Sequence, residues 1–231
     1  MNDLVDKIND LLNKCSKAQK RTIFDELRKE FKIHTIEETL NISAEIILEA
    51  LSKGGEKGLT LRMLRGVIAE AAFAIEVLSN NANLRDITPR GDFPYDYLVS
   101  DAKIDIKFQV KLQRSIDNKP MLANAAKRSF PKDMFVVETQ KTRAGQDSSG
   151  QGTRSYKFGE FDILAVSLQP SSNNWASFMY TVSDWLIPDE TDKSKILKFQ
   201  PVSKVANQDW TDDVNTAIKW LKSKKKKTIK H

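Results

Sequence analysis

The pattern of apolar and polar residues divides the chain into a helical first quarter and a longer part with mixed periodicity. In residues 1–57 apolar side chains recur every three or four positions, the spacing of one face of an α-helix. The pair Gly54-Gly55 ends the last of these predicted helices. A further apolar helix is predicted over 59–79, and Glu70 interrupts its apolar face.

The segment 94–115, PYDYLVSDAKIDIKFQVKLQRS, predicts two β-strands joined by a tight turn. Apolar and polar residues alternate strictly in the second strand. One face carries Ile104, Ile106, Phe108, Val110 and Leu112, and the other carries Asp105, Lys107, Gln109, Lys111 and Gln113. Asp96 stands early in the first strand, so an antiparallel hairpin places it opposite residues 107–109. The polar face is then either a solvated surface or a set of ligands and a lysine in a cleft.

Later segments predict a helix, three strands and a last helix, at about 119–129, 133–140, 161–168, 176–183 and 214–221. The stretch 141–157 is rich in Gly, Ser and Thr, which predicts a loop. This order of elements predicts an α/β fold in which a mixed β-sheet is flanked by helices.

Composition excludes several classes of chemistry. The single cysteine, Cys15, excludes internal disulfides and multi-cysteine zinc sites. His34 is the only histidine before the last residue, which disfavours hydrolases that depend on a placed imidazole. No stretch approaches the ~20 apolar residues of a membrane helix, and the N-terminus lacks the pattern of a secretion signal. We therefore expect a cytoplasmic protein without a membrane partner, whose chemistry rests on carboxylates, amides, lysines and a metal ion.

The formal net charge of +6 comes from the C-terminal end of the chain. The last eleven residues, LKSKKKKTIKH, hold six lysines and no acidic residue, and the rest has 31 basic and 31 acidic residues. Such a tail is either a solvated, disordered end or a source of sequence-independent attraction to phosphates. Between Lys103 and Arg143 ten Lys and Arg residues stand against four Asp and Glu, so this segment is locally basic.

The hairpin resembles the active-site motif of the PD-(D/E)XK nuclease superfamily. Its PYD, at 94–96, corresponds to the P-D of the family, and Gln109-Val110-Lys111 corresponds to the E-x-K. Glutamine replaces the usual carboxylate, a Q-x-K variant that is similar to the motif of several type II restriction endonucleases. The order of helix, hairpin, helix and strand also matches the family core over about residues 60–140.

The resemblance implies a Mg²⁺-dependent type II restriction endonuclease that hydrolyses phosphodiester bonds of double-stranded DNA. The metal ligands would be Asp96, Gln109 and the carbonyl of Val110, with Glu70 acting through water. Lys111 would orient or activate the attacking water. One site cuts one strand, so cleavage of both strands at a symmetric sequence implies a homodimer.

The locally basic segment and the loop that follows supply the expected DNA contacts, because Arg, Lys and Gln commonly contact phosphates and bases. These residues are Arg114, Gln140, Lys141, Arg143, Arg154, Tyr156 and Lys157. The resemblance divides the chain into an N-terminal helical region, 1–57, for dimerisation or DNA contact, a nuclease domain, 58–221, and a basic tail, 222–231.

Three alternatives stay open at the level of sequence. Asp105-Ile106-Lys107 is itself a D-x-K, and would leave eight residues between the two acids. The same superfamily includes nucleases that read DNA structure, such as junction resolvases and repair nucleases. Residues 34–53 resemble a helix-turn-helix, which would make the protein a non-catalytic DNA-binding regulator, although Glu45 and Glu49 would repel phosphate.

Overall fold

The protein is described here by a computed structural model, which covers residues 2–30, 44–55, 59–117, 119–141 and 154–230. Close contacts group the chain into two units, Met1–Arg62 and Met63–His231. The boundary between them lies close to the one that the sequence predicts after residue 57. None of the described helices is long and apolar enough to cross a membrane.

The first unit is helical, as the spacing of its apolar residues predicts. Helix α1 covers Asn2–Lys14, α2 covers Lys17–Glu30 and α3 covers Ala44–Gly55. At the start of α2 the Gln19 N–H donates to Ser16 Oγ at 3.3 Å, and the Ser16 N–H donates to Gln19 Oε1 at 2.9 Å. These two bonds form a capping box, which satisfies backbone donors that the first turn leaves unpaired.

The segment that resembles a helix-turn-helix, 34–53, is described only in part. Its first helix, its turn and the predicted cap Ser43 lie outside the described residues. The second helix corresponds to α3, which ends at Gly55 as the glycine pair predicts. The helix-turn-helix itself stays a prediction.

The predicted helix over 59–79 is confirmed, but its last part has a wider turn. Helix α4 covers Leu59–Ala72 and continues as a π-helix over Phe73–Leu78. The Ser79 N–H accordingly donates to Ala74 O, five residues earlier, at 2.9 Å. Such π-turns are frequent at functional sites, and this one begins three residues after Glu70.

A five-stranded mixed sheet forms the centre of the second unit, so the predicted α/β class is confirmed. Its strands are β1 (Arg85–Asp86), β2 (Tyr97–Ser100), β3 (Asp105–Leu112), β7 (Ile163–Ser167) and β8 (Phe178–Val182), in that spatial order. Strands β2 and β3 form the predicted antiparallel hairpin. Strand β3 then pairs in parallel with β7, and β7 pairs antiparallel with β8.

The polar face of β3 is covered from Gln109 onward, whereas Asp105 at the start of the strand is exposed, so only part of this face is the solvated surface that alternation alone would allow. On the apolar face Ile106 and Phe108 are fully buried together with Phe73 of the π-helix. On the other face Gln109 is 2 % exposed and Gln113 is 1 % exposed. A second apolar core lies against this side of the sheet and includes Tyr156, Phe161, Leu164, Val166 and Trp185.

The helix predicted over 119–129 is wrong for most of its length. Strands β4 (Ser115–Ile116) and β5 (Lys119–Pro120) form a short hairpin, and only Ala123–Ala126, helix α5, makes a helical turn. Pro120 and Pro131 flank that turn, and proline disfavours helical conformation in the residue before it. The segment reads as helix-forming because Ala123, Ala125 and Ala126 stand close together, but only one helical turn forms around them.

A small antiparallel sheet follows, in which β6 (Phe135–Glu138) pairs with β9 (Phe199–Val202). The strand predicted over 133–140 is thus confirmed, whereas β9 was not predicted. Strand β9 contains Pro201, which cannot donate to a ladder and is tolerated because β9 pairs on one side only. The remaining helices are α6 (Gln169–Ser172) and α7 (Val214–Ser223), and α7 is the predicted last helix.

The lysine tail is packed against the second unit, which corrects the expectation of a solvated, disordered end. Ile229 is 1 % exposed, and its N–H donates to the carbonyl of Trp185 at 2.8 Å. The Trp185 indole N–H donates to the carbonyl of Lys225 at 2.7 Å. Lys227 Nζ lies 2.7 Å from Asp209 Oδ1 and 3.8 Å from the centroid of the Trp185 ring. One buried isoleucine and one tryptophan therefore hold a segment whose composition alone indicates disorder.

Candidate active site

Asp96 lies at the point where the hairpin brings two chain segments together. It directly precedes β2, and its N–H donates to Phe108 O at 2.9 Å. Its carboxylate oxygen Oδ2 accepts the backbone N–H of Val110 at 2.7 Å and the side-chain Nε2 of Gln109 at 2.5 Å. Among the described residues no hydrogen bond ends on Oδ1. Asp96 is therefore fixed through one oxygen, and the other is available to a ligand.

The Gln109 side chain is buried, and among the described residues only its amide nitrogen has hydrogen-bond partners. Its Nε2 donates to Asp96 and, at 3.3 Å, to Val110 O. Its Oε1 is buried without a hydrogen-bond partner among the described residues. A buried amide oxygen without a partner costs free energy, so this atom is suited to a ligand that supplies positive charge.

Glu70 approaches the same point from helix α4. The Tyr97 hydroxyl donates to the Glu70 carbonyl at 2.8 Å, which ties the helix to β2. Burial and, to a smaller extent, the charge of Asp96 raise the pKa of Glu70 to about 7, while Lys111 acts in the opposite direction. Burial likewise raises the pKa of Asp96, although Lys111 and the two hydrogen bonds lower it. The two carboxylates repel each other when both are ionised, and a bound cation would offset this repulsion.

Lys111 stands two residues after Gln109 on the same face of β3. Burial lowers the pKa of its ammonium group, and Asp96, Glu70 and Glu138 raise it. Its Nζ lies over the Tyr156 ring, 5.3 Å from the centroid. The predicted group of Glu70, Asp96, Gln109 and Lys111 is therefore brought together in space.

Two residues of this region had no signal in the sequence. Glu160 lies in a turn, and its Oε1 is 2.6 Å from Lys141 Nζ. Glu138, the last residue of β6, pairs with Arg114 and lies 3.4 Å from Lys198. An isolated glutamate in a loop or at a strand end is common in any soluble protein, so only the three-dimensional structure connects these two with the site.

The rival pair, Asp105 and Lys107, lies apart from this cluster. Asp105 is exposed and is paired with Ser100 at the other end of the hairpin. The Lys107 N–H donates to Asp162 Oδ2 at 2.8 Å, and Lys107 is opposite Leu98. The register thus sets Asp96 beside Gln109 and Val110, and not beside Asp105.

The residues predicted to contact DNA occupy different environments. Arg114 is half-buried in its ion pair with Glu138, while Arg154 and Lys157 are exposed. Gln140 is half-buried in a β-bridge with Ser155. Arg143 lies outside the described residues. Tyr156 is only 4 % exposed, so its ring forms a wall of the site and does not offer a surface contact.

The donor set fits a hard divalent cation. Asp96 Oδ1, the Glu70 carboxylate and the unpartnered Gln109 Oε1 are all oxygen donors, which Mg²⁺ prefers. The set contains two carboxylates and one amide, and among the described residues no group of three His, Cys, Asp or Glu side chains could hold a metal ion. A cation here would therefore depend on the amide oxygen and on water for the rest of its coordination.

The chain was compared with protein families, curated proteins and solved structures. The chain matches no protein-family model and no curated protein. Among solved structures it is similar to that of a bacterial homing endonuclease, I-Ssp6803I, with 17% sequence identity and a TM-score of 0.37. The likeness covers 70% of this chain and 91% of the other.

Proposed function

We propose that the protein is a metal-dependent DNA endonuclease, of the type II restriction class. The observation that carries the proposal is the convergence on Asp96. Its carboxylate is held by the Gln109 side chain and the Val110 N–H, while Glu70 and Lys111 act on it electrostatically. Two half-buried carboxylates, an unpartnered amide oxygen and a lysine of lowered pKa form a set suited to phosphodiester hydrolysis.

Asp96, Glu70 and Gln109 would hold Mg²⁺. The bound ion would neutralise charge on the phosphate and lower the pKa of water. The Val110 N–H keeps Asp96 in place through Oδ2, so Oδ1 would be left for the ligand. Because Gln109 is neutral, most of the charge that attracts the cation comes from Asp96 and Glu70.

Lys111 would act at the scissile phosphate. Its ammonium group can donate hydrogen bonds to a phosphate oxygen, and its lowered pKa makes proton transfer from Nζ easier. Burial among apolar and aromatic side chains strengthens its interaction with an anion, because little water is present to screen the charge. Lys111 stands two residues after Gln109 on the same face of β3, so both side chains can reach one ligand.

The type II class and the homodimer are the finer parts of the proposal. A single site cuts one strand, so two copies related by a two-fold axis would cut both strands of a symmetric sequence. Apolar side chains on one face of α1 support self-association, since Leu4, Ile8 and Leu11 are 69%, 47% and 63% exposed. Sedimentation of the full chain tests this part independently of cleavage.

The proposal is tested by incubating the full-length protein with unmethylated plasmid DNA in Mg²⁺ and, in parallel, in EDTA. Discrete fragments that form only with Mg²⁺ are expected. Cleavage confined to branched DNA would instead indicate a nuclease that reads structure. Specific binding without cleavage in any divalent cation would indicate a regulator, and would overturn the proposal.

A further inference from the structure

Tyr156 stands between the proposed catalytic lysine and a second lysine. Lys111 Nζ and Lys141 Nζ both lie over its ring, each 5.3 Å from the ring centroid. Ammonium groups are attracted to the face of an aromatic ring, and the attraction is strongest where water is excluded. Tyr156 is 4 % exposed, so its ring is shielded from water, and the Lys141 side chain is 27 % exposed.

The backbone and the neighbouring side chains hold the Tyr156 ring in place. Its carbonyl accepts the Ile196 N–H at 2.8 Å, and the preceding residue, Ser155, forms a β-bridge with Gln140. The ring packs edge-on against Phe161 at a centroid distance of 5.3 Å and an angle of 89°. Because backbone contacts and the Phe161 ring hold the Tyr156 ring in place, the Tyr156 ring can in turn hold the side chains that lie over it.

Lys141 is anchored separately from Lys111. Its Nζ lies 2.6 Å from Glu160 Oε1, and its N–H donates to Arg154 O at 2.8 Å. Glu160 in turn accepts the Lys157 N–H through Oε2 at 2.8 Å. The carboxylate of Glu160 therefore offsets the repulsion between two ammonium groups that share one ring.

We propose that Tyr156 is a positioning residue, whose ring holds Lys111 toward Asp96 and holds Lys141 as a second cation of the same site. Lys141 would then bind the phosphate next to the one that Lys111 contacts. This inference rests on the proposed nuclease function for its kinetic consequences, but not for its geometry. Among the described residues the Tyr156 hydroxyl makes no hydrogen bond, so the ring and not the hydroxyl is assigned the role.

The kinetic test compares Tyr156→Leu with Tyr156→Phe on plasmid DNA in Mg²⁺. Removing the ring should lower kcat roughly 100-fold, as misplacement of a catalytic group by about 1 Å does, and should also raise KM, because Lys141 loses its position at the neighbouring phosphate. Phenylalanine keeps the ring and should restore the rate. Phe130→Leu is the matched control, because it removes a buried ring from the same core and should leave the rate near that of the parent.

A spectroscopic test follows the two lysines directly in protein labelled with ¹³C at lysine Cε. The Lys111 and Lys141 signals, assigned from K111M and K141M, should be displaced by the ring current in the parent and in Tyr156→Phe. They should return to the ordinary lysine position in Tyr156→Leu. Unchanged signals in Tyr156→Leu would overturn the assignment.

The outcomes separate the two proposals. If the parent cuts no DNA but the lysine signals shift as expected, the nuclease function fails and the Tyr156 geometry stands. If the parent cuts DNA and Tyr156→Leu cuts equally well, Tyr156 is not a positioning residue. Should Tyr156→Phe be as defective as Tyr156→Leu, the hydroxyl acts directly, which also contradicts the proposal.

Discussion

The side-chain amide of Gln109 donates across the hairpin to Oδ2 of Asp96, which stands thirteen residues earlier in the chain. The amide thereby leaves its own oxygen, Oε1, buried and without a partner among the described residues. Gln109 thus does two things that a carboxylate at this position could not do together. It stabilises Asp96 through a donated hydrogen bond, and it would offer an oxygen to the proposed cation.

Gln109→Glu should make the stability of the folded protein depend on a bound metal ion. The substitution removes the donor to Asp96 and sets two carboxylates side by side, which should lower the free energy of unfolding by about 1–3 kcal/mol without metal. Mg²⁺ should recover that loss, and its affinity should exceed that of the parent. Urea unfolding with and without Mg²⁺, together with calorimetric titration of Mg²⁺, measures both effects.

Gln113→Glu is the control for that experiment. Gln113 is also buried on the same face of β3, four residues further along. A new carboxylate there should be destabilising whether or not Mg²⁺ is present. Equal recovery of the two variants by Mg²⁺ would show that Gln109 has no special relation to a cation.

Glu70 should make the metal-free protein less stable as the pH rises toward neutrality. Its pKa in the folded state is about 7, against 4.5 without the protein environment. The folded state therefore binds more protons than the unfolded state between these values, and the contribution of Glu70 to stability is lost as the pH rises through about 7. The Tm of Glu70→Gln in EDTA should accordingly fall less than that of the parent between pH 5 and 8. Exposed Glu76, on the same helical segment, supplies the control Glu76→Gln, which should follow the parent.

The register is tested by comparing two lysines of one strand face. Lys111→Met should lower the rate of DNA cleavage by roughly 10²–10⁴-fold, the usual contribution of a general acid or base. Lys107→Met should change it little, because Lys107 lies opposite Leu98 and away from Asp96. Single-turnover rates on one DNA substrate give the ranking, and the reverse ranking would move the site to Asp105 and Lys107.

The C-terminal segment should contribute to folding. Ile229→Ala removes a side chain that is 1 % exposed, and should cost about 2–5 kcal/mol of unfolding free energy. Lys226→Ala, in the same segment but exposed, should cost almost nothing. Thermal unfolding of both variants checks the difference. A segment that is merely a solvated tail would give two variants of parental stability.

The hairpin could be predicted from the sequence because its alternation is local. Ile106 and Phe108 alternate with Lys107 and Gln109, and that period alone defines the strand and its two faces. Antiparallel pairing then places Asp96 opposite residues 107–109, and only the structure supplies the register that sets it beside Val110. What the alternation does not reveal is that the polar face is covered from Gln109 onward, since the residues that cover it come from segments far along the chain.

The burial of Ile229 and of Tyr156 depends on tertiary contacts that the composition of their segments does not indicate. Ile229 stands in a lysine-rich segment and is buried because Trp185 accepts its N–H and packs beside it. Tyr156 stands in a stretch rich in Gly, Ser and Thr, yet β6 and β7 enclose it with other core residues. Each is an apolar residue in a polar context, and its burial is decided by tertiary packing and not by local pattern.

The most direct test of the site is the Mg²⁺-dependent cleavage of one DNA substrate by the parent and by Asp96→Asn. Asparagine keeps an oxygen that can accept the Val110 N–H, so folding and DNA binding should be retained. The parent should cleave the DNA only when Mg²⁺ is present, and Asp96→Asn should lose roughly 10³-fold in single-turnover rate. Cleavage by Asp96→Asn within tenfold of the parent, or equal cleavage by the parent in EDTA, would contradict the proposed site.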